Sequence, residues 1–237
     1  MRDGVAILAF GEPAGDIWAA LWDGERTLAA VGSEAMAVAL AGAEHEGEWR
    51  LAGEGLELRV QPVGAALQDE RRGFYSQRCH VAGTLRLAGA SASIALPGVR
   101  IRRAAPRPER LDSLRLVVAW FAHGAAAVLD SERHAGARGH DQDLVRAALH
   151  RVEGSSPVRE GRLSMTYVGS GQPARVGLEL WLEDESEEPS HPQRLAGEVS
   201  GPGTRGHDGA LELELLPLRT HYGGHDGAGA LILARRG

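Results

Sequence analysis

Apolar and polar residues alternate along this chain in steps of two. Leu56-Glu57-Leu58-Arg59-Val60 does so, as do Val176-Gly177-Leu178-Glu179-Leu180-Trp181-Leu182 and Leu211-Glu212-Leu213-Glu214-Leu215. Successive side chains of a strand point to opposite faces, so this period predicts one buried face and one wet face. Strand patterns recur over 5–10, 16–22, 25–31, 34–40, 49–52, 56–62, 74–87, 90–96, 111–122, 125–134, 163–168, 175–182, 194–200, 210–216 and 228–235. Asp23-Gly24 reads as the turn of a hairpin, because this dipeptide tolerates positive φ. Pro97-Gly98 reads as a strand stop, and 64–73 as a polar loop. Many short strands in one chain predict an all-β sandwich or barrel. One stretch, 141–152, is the one good helix candidate, with a strand as the alternative. Leu144, Val145, Ala148, Leu149 and Val152 form a stripe there, behind a possible Asp141 cap.

Composition narrows the classes. The chain has 237 residues, enough for one large β domain or two small ones. A net charge of -6 argues against nucleic acid as a partner. The arginines between Arg100 and Arg110, broken by Pro106 and Pro108, read as a stiff solvated connector between lobes. The acidic run from Glu183 to Glu188 reads as a solvated hairpin loop. No segment is long and apolar enough for membrane insertion, and Val5 to Phe10 is too short for a secretory core. With the single Cys79 there is no internal disulfide, which fits a cytoplasmic protein.

All 26 basic residues are arginine, and asparagine is absent as well. Without lysine there is no Schiff base, no P-loop lysine and no lysine general base. Gly169-Ser170-Gly171-Gln172-Pro173-Ala174 mimics a dinucleotide loop, but Pro173 and the strand pattern after it deny the helix that motif requires. No cofactor is expected.

Gly-His-Asp occurs three times, at Gly139-His140-Asp141, Gly206-His207-Asp208 and Gly224-His225-Asp226. Imidazole beside carboxylate suits metal binding or acid–base work. Each tripeptide sits in a Gly-rich stretch that suits a turn equally well, and no spacing matches a metal site. No metal is therefore expected. On the strand over 176–182, Glu179 and Trp181 share a face opposite the aliphatic one. If they face a lumen, Glu179 is a general acid with a desolvated carboxyl. If the aliphatic face turns inward, Glu179 is solvated. Trp120 shares its face with Leu114, Leu116 and Val118, which suits core. Cys79 follows an apolar strand face and reads as an inert buried thiol.

Ser76-Gln77-Arg78-Cys79-His80-Val81-Ala82-Gly83-Thr84-Leu85, Arg133-His134-Ala135-Gly136-Ala137-Arg138-Gly139-His140, Arg162-Leu163-Ser164-Met165-Thr166-Tyr167 and Arg175-Val176-Gly177-Leu178-Glu179-Leu180-Trp181 follow one another. Together, over 74–237, they resemble the lipocalin-like bacterial proteins grouped near AttH, hydroxyneurosporene synthase (a carotenoid hydratase) and tocopherol cyclase. The resemblance implies two lipocalin-like antiparallel β-barrel lobes packed together. Here they would be residues 1–103 and 104–237, with a double β-sandwich as the runner-up. It also implies a small apolar ligand, a lipid, isoprenoid or polyketide-derived molecule. That ligand is either protonated, hydrated, cyclised or isomerised without a cofactor, or simply carried. No catalytic residue transfers position by position.

The expected acid or base lies among Glu179, His140, His225, Tyr222 and Tyr167. Trp181 and Trp120 are the ligand-contact candidates, and the stretch from Tyr222 to Asp226 could rim a barrel mouth. An enzyme needs a desolvated acid or base facing its ligand, whereas a carrier's lumen can be almost wholly apolar. A carbohydrate-binding sandwich would need a row of exposed aromatics, and aromatic content is only 5%.

Overall fold

The structure, a computed structural model, describes the backbone outside residues 1–3, 11–16, 24–25, 32–37, 42–46, 54–55, 88–89, 104–109, 184–190, 202 and 209–210. Side chains are described from Gly47 onward, except at some strand positions and at His140, His207 and Asp208. Strands dominate. β1 (Gly4–Phe10), β2 (Ile17–Asp23) and β3 (Arg26–Val31) form a three-stranded antiparallel sheet. β4 (Val38–Ala41), β5 (Trp49–Gly53), β6 (Leu56–Pro62), β7 (Leu67–Asp69), β8 (Phe74–Leu87) and β9 (Ala90–Arg103) form a six-stranded one.

The remaining strands close on themselves. They are β10 (Leu111–Phe121), β11 (Ala126–His134), β12 (Leu144–His150), β13 (Ser155–Tyr167), β14 (Pro173–Leu182), β15 (Gln193–Val199), β16 (Thr204–Asp208), β17 (Leu211–Tyr222) and β18 (His225–Arg236). The sheet runs β15-β14-β13-β12-β11-β10-β18-β17-β16. The first half of β17 pairs β16, and its second half, Leu218 to Tyr222, pairs β15. That last pairing closes an eight-stranded antiparallel barrel, leaving β16 outside as an appendage. Among the described residues the pairings of β1 to β9 make two open sheets. No described helix is long and apolar enough to cross a membrane.

The barrel interior follows strand parity. Val117, Leu129, Leu149, Leu180, Leu218 and Leu231 meet inside, among other apolar residues. An eight-stranded barrel is just wide enough for side chains to fill. Accordingly the alanines Ala119, Ala127 and Ala147 pack among the leucines in the middle of the lumen.

The outer wall of β10 to β12 is covered too. Phe74 of β8 packs on Val118, Val128 and Ala148. Beside this apolar contact runs a polar seam. Arg146 donates to Asp130 at 2.9 Å, to Glu132 at 3.1 Å and to the Arg72 carbonyl at 3.0 Å. His150 sits between Ser76 and Ser155 at 3.0 and 2.7 Å.

This double burial corrects one expectation. Residues 141–152 are not a helix but a 3-10 turn, His140–Gln142, followed by β12. Val145, Ala147 and Leu149 face the lumen while Ala148 and His150 face the six-stranded sheet. With both faces buried, the alternation that marks a strand is gone, and the remaining apolar spacing imitates a helical stripe.

Three smaller differences have similar causes. Pro97-Gly98 does not stop a strand, because β9 continues to Arg103. β9 pairs only β8, and an edge strand tolerates a proline without an N–H. The loop 64–73 contains the short strand β7. The arginine-rich stretch is strand, not solvated connector, as far as Arg103. Arg100 is only 3% exposed, lies 4.6 Å above the Trp49 ring and hydrogen-bonds Tyr75 and Gln77.

Candidate functional site

Cross-strand register shows how the lumen changes along its axis. Deep inside, Leu129, Val117 and Leu231 stand side by side on β11, β10 and β18. Two residues outward, the row is Ser131, Arg115 and Leu233; two further, it is Arg133, Ser113 and Arg235. The aliphatic lumen therefore opens into a guanidinium-rich end.

A cavity of about 420 Å³ occupies that end. Leu233 and Leu114 give it an apolar side, and Ser113, Asp112 and Tyr167 polar ones. Arg115, Arg133, Arg235 and Arg236 complete the lining. Arg133 is fixed by a bidentate pair to the buried Asp143, at 2.7 and 3.1 Å, which holds its guanidinium still more firmly protonated than usual. Glu214, on the neighbouring β17, is taken up by Arg205 at 3.1 Å.

The opposite end is stoppered by rings. Phe121 and Tyr222 are buried 5.4 Å apart, and the exposed His123 stacks near both. His225 lies 4.2 Å from His123, ring centre to ring centre. Partial desolvation lowers the pKa of His123, and the neighbouring His225 lowers it further. Tyr222 donates to Gln193 at 2.9 Å and accepts from Arg151 at 3.4 Å. The turn that delivers His225 is Gly223-Gly224, with φ of 58° and 81°. Two consecutive positive φ angles are what a tight two-residue hairpin turn of this hand requires.

The residues singled out in the sequence thus occupy three different places among the described residues. Tyr222 and His225 share the ring-stoppered end. Tyr167 lines the arginine end and is half exposed. Glu179 and Trp181 stand on the outer wall, because β14 turns Val176, Leu178 and Leu180 inward. There Glu179 pairs with Arg194 at 3.1 Å, and Arg162 lies over the Trp181 ring at 4.6 Å. Glu179 is therefore the solvated carboxylate of the second alternative above. Trp120 is on the outer wall as well, packed beside Leu116 and among the apolar residues under Phe74. The side chain of His140 lies outside the described residues.

Among the described residues no group of three or more His, Cys, Asp or Glu is placed to hold a metal ion. The Gly206-His207-Asp208 copy lies in strand β16 rather than a turn. Cys79 is buried, and desolvation pushes its thiol pKa up to about 12.

Two groupings escaped the sequence reading. The first is the arginine end itself. Its members come from strands far apart in the chain, and only their common parity at strand ends hints at it. The second is the pairing of Ser76 with His150. Ser155 donates to the Ala65 carbonyl at 2.8 Å, so His150 donates from Nδ1 to Ser155 Oγ and accepts at Nε2 from Ser76. Both Ser76 and His150 are 0% exposed. A serine–histidine pair so enclosed is a structural clamp between sheet and barrel, with no route for a substrate.

No family model matches the chain, and no curated protein matches it. Among solved structures it is similar to the crystal structure of a "putative AttH" from Nitrosomonas europaea. The two are 14% identical, with a TM-score of 0.55 over 92% of this chain and 79% of that one. At this identity the likeness is one of fold: the chain has an AttH-like, lipocalin-like all-β architecture.

Proposed function

We propose that this chain is a binding protein for a small molecule with an apolar body, held at the arginine end of the barrel. The observation that carries the proposal is the cavity of about 420 Å³ where the closed barrel opens. Small-molecule sites typically measure about 300–1,000 Å³ and pair an apolar surface with a few polar groups. The AttH-like fold supports the same reading, since such barrels suit ligand binding at a lumen.

Carriage suits the geometry better than catalysis. The described residues below the cavity are mostly aliphatic, down to the Phe121–Tyr222 end. Its own candidate acid and base, Asp112 and Tyr167, are exposed to water. A site for acid–base catalysis typically shields its reacting groups from water, and neither is buried. In this proposal residues 1–103 and 104–237 are two lobes, the second carrying the site. The ligand is a lipid, isoprenoid or polyketide-derived molecule, and the protein works in the cytoplasm. Native mass spectrometry of protein purified from its own host tests this. A small-molecule adduct lost on denaturation is expected. Ligand-free protein that also fails to bind any apolar probe would reject binding. Conversion of the adduct molecule by the purified protein would restore the catalytic alternative.

A further inference from the structure

We infer, on the reading just given, that the ligand is an organic anion and that Arg115 and Arg235 receive its charge. The inference starts from how these two arginines are placed. Both belong to the lumen-facing rows, Arg115 opposite Leu233 and Arg235 opposite Ser113. Both line the cavity. Neither makes an ion pair among the described residues, whereas Arg133 beside them is matched to Asp143.

Arg115 is also half buried. A guanidinium partly removed from water without a carboxylate is a standing electrostatic cost, and an anion in the cavity offsets it. Carboxylates compete weakly for this place. Asp112 is exposed, Asp143 is committed to Arg133, and Glu214 is held by Arg205. Cross-strand from Arg235 stands Glu212, on β17 and not among the lining residues.

Guanidinium forks match the paired oxygens of a carboxylate or phosphate. The apolar side formed by Leu233 and Leu114 gives the rest of such a molecule a dry surface, and the deeper lumen is closed by packed leucines. The ligand therefore enters no further than its charged head and the adjoining apolar segment. A concavity of this size selects a small amphiphile rather than a polymer.

Calorimetric titration of the full chain with decanoate, decyl phosphate and decanol tests the inference. At least one of the two acids is expected to bind about tenfold or more tightly than decanol, since hydrogen bonds to charged groups are the strong ones. The tighter acid identifies the head group. R115M and R235Q are each expected to weaken the preferred acid about tenfold while leaving decanol unchanged. R235Q changes an exposed side chain, so it reads out the site even if R115M fails to fold. Added salt should weaken the acid and spare the alcohol. Equal affinity for acid and alcohol overturns the anion inference and leaves the binding reading standing. Binding of none of the three overturns both.

Discussion

The two faces of the barrel wall solve different problems. Inward, β10 to β12 present Val117, Ala119, Ala127, Leu129, Ala147 and Leu149 to an aliphatic lumen. Outward, the same strands bury Asp130, Glu132, Arg146 and His150 against the six-stranded sheet. The inner face is held by volume, so it tolerates any shape that packs and ends wherever packing ends. At the arginine end it stops, and a cavity remains. The outer face is held by directed bonds, so it fixes where the sheet docks and leaves no room. The proposed ligand site belongs to the first face, and the Ser76–His150 and Arg146 contacts belong to the second.

The sharpest way to break this contrast is to remove one partner from the seam. Arg146→Ala removes the guanidinium that Asp130 and Glu132 share. A loss of about 4 kcal/mol is expected in urea unfolding, because removing one partner of a buried ion pair costs about 3–5 kcal/mol. A loss of only a few tenths would mean the seam is wet. On the inner face, Leu129→Ala should cost about 3 kcal/mol, the transfer term plus a cavity term. Here the loss should be the same at every pH, whereas seam losses should not.

His150 supplies that pH dependence. Burial, and secondarily the Arg78 charge, lower its pKa from the usual 6.5 to about 4. Between those values the unfolded chain binds a proton that the folded one does not. Stability therefore rises with pH across this window, is fully present above it, and is lost as pH falls from about 6.5 towards 4. Protonation also removes the acceptor that Ser76 uses. Unfolding free energies measured from pH 7 to 4 should fall by about 3 kcal/mol through this group. The slope should be shallower in His150→Gln, and an unchanged slope would separate His150 from the effect. The smallest effect is expected outside both buried regions. Glu179→Gln should cost under about 1 kcal/mol, as exposed ion pairs do, and should leave ligand affinity unchanged. A large change in affinity would place Glu179 in the ligand's path after all.

The same contrast explains what was legible in the sequence. β14 has one wet face, so its aliphatic side could be read directly from Val176, Leu178, Leu180 and Leu182. β12 has none, so Arg146 and His150 interrupt no visible alternation and the strand reads as a helix. Arg100 was misplaced for a related reason: its charge suggests solvent, while Trp49, Tyr75 and Gln77 accommodate it in the interior. The ring-stoppered end was partly legible, because Tyr222 and His225 flank a two-glycine turn. His123, on another hairpin, gave no signal. The arginine end was illegible because Arg115, Arg133 and Arg235 become neighbours only through the register of β11, β10 and β18.

The barrel-end site is tested most directly by an amide NMR titration of the full chain with decanoate or decyl phosphate. Saturable shifts are expected for Ser113, Arg115, Arg133, Leu233 and Arg235. The amides of Glu179, Trp181 and the His123–Tyr222–His225 end should stay fixed. Shifts confined to that ring-stoppered end or to the outer wall, or no saturable shift at all, would contradict binding at the arginine end.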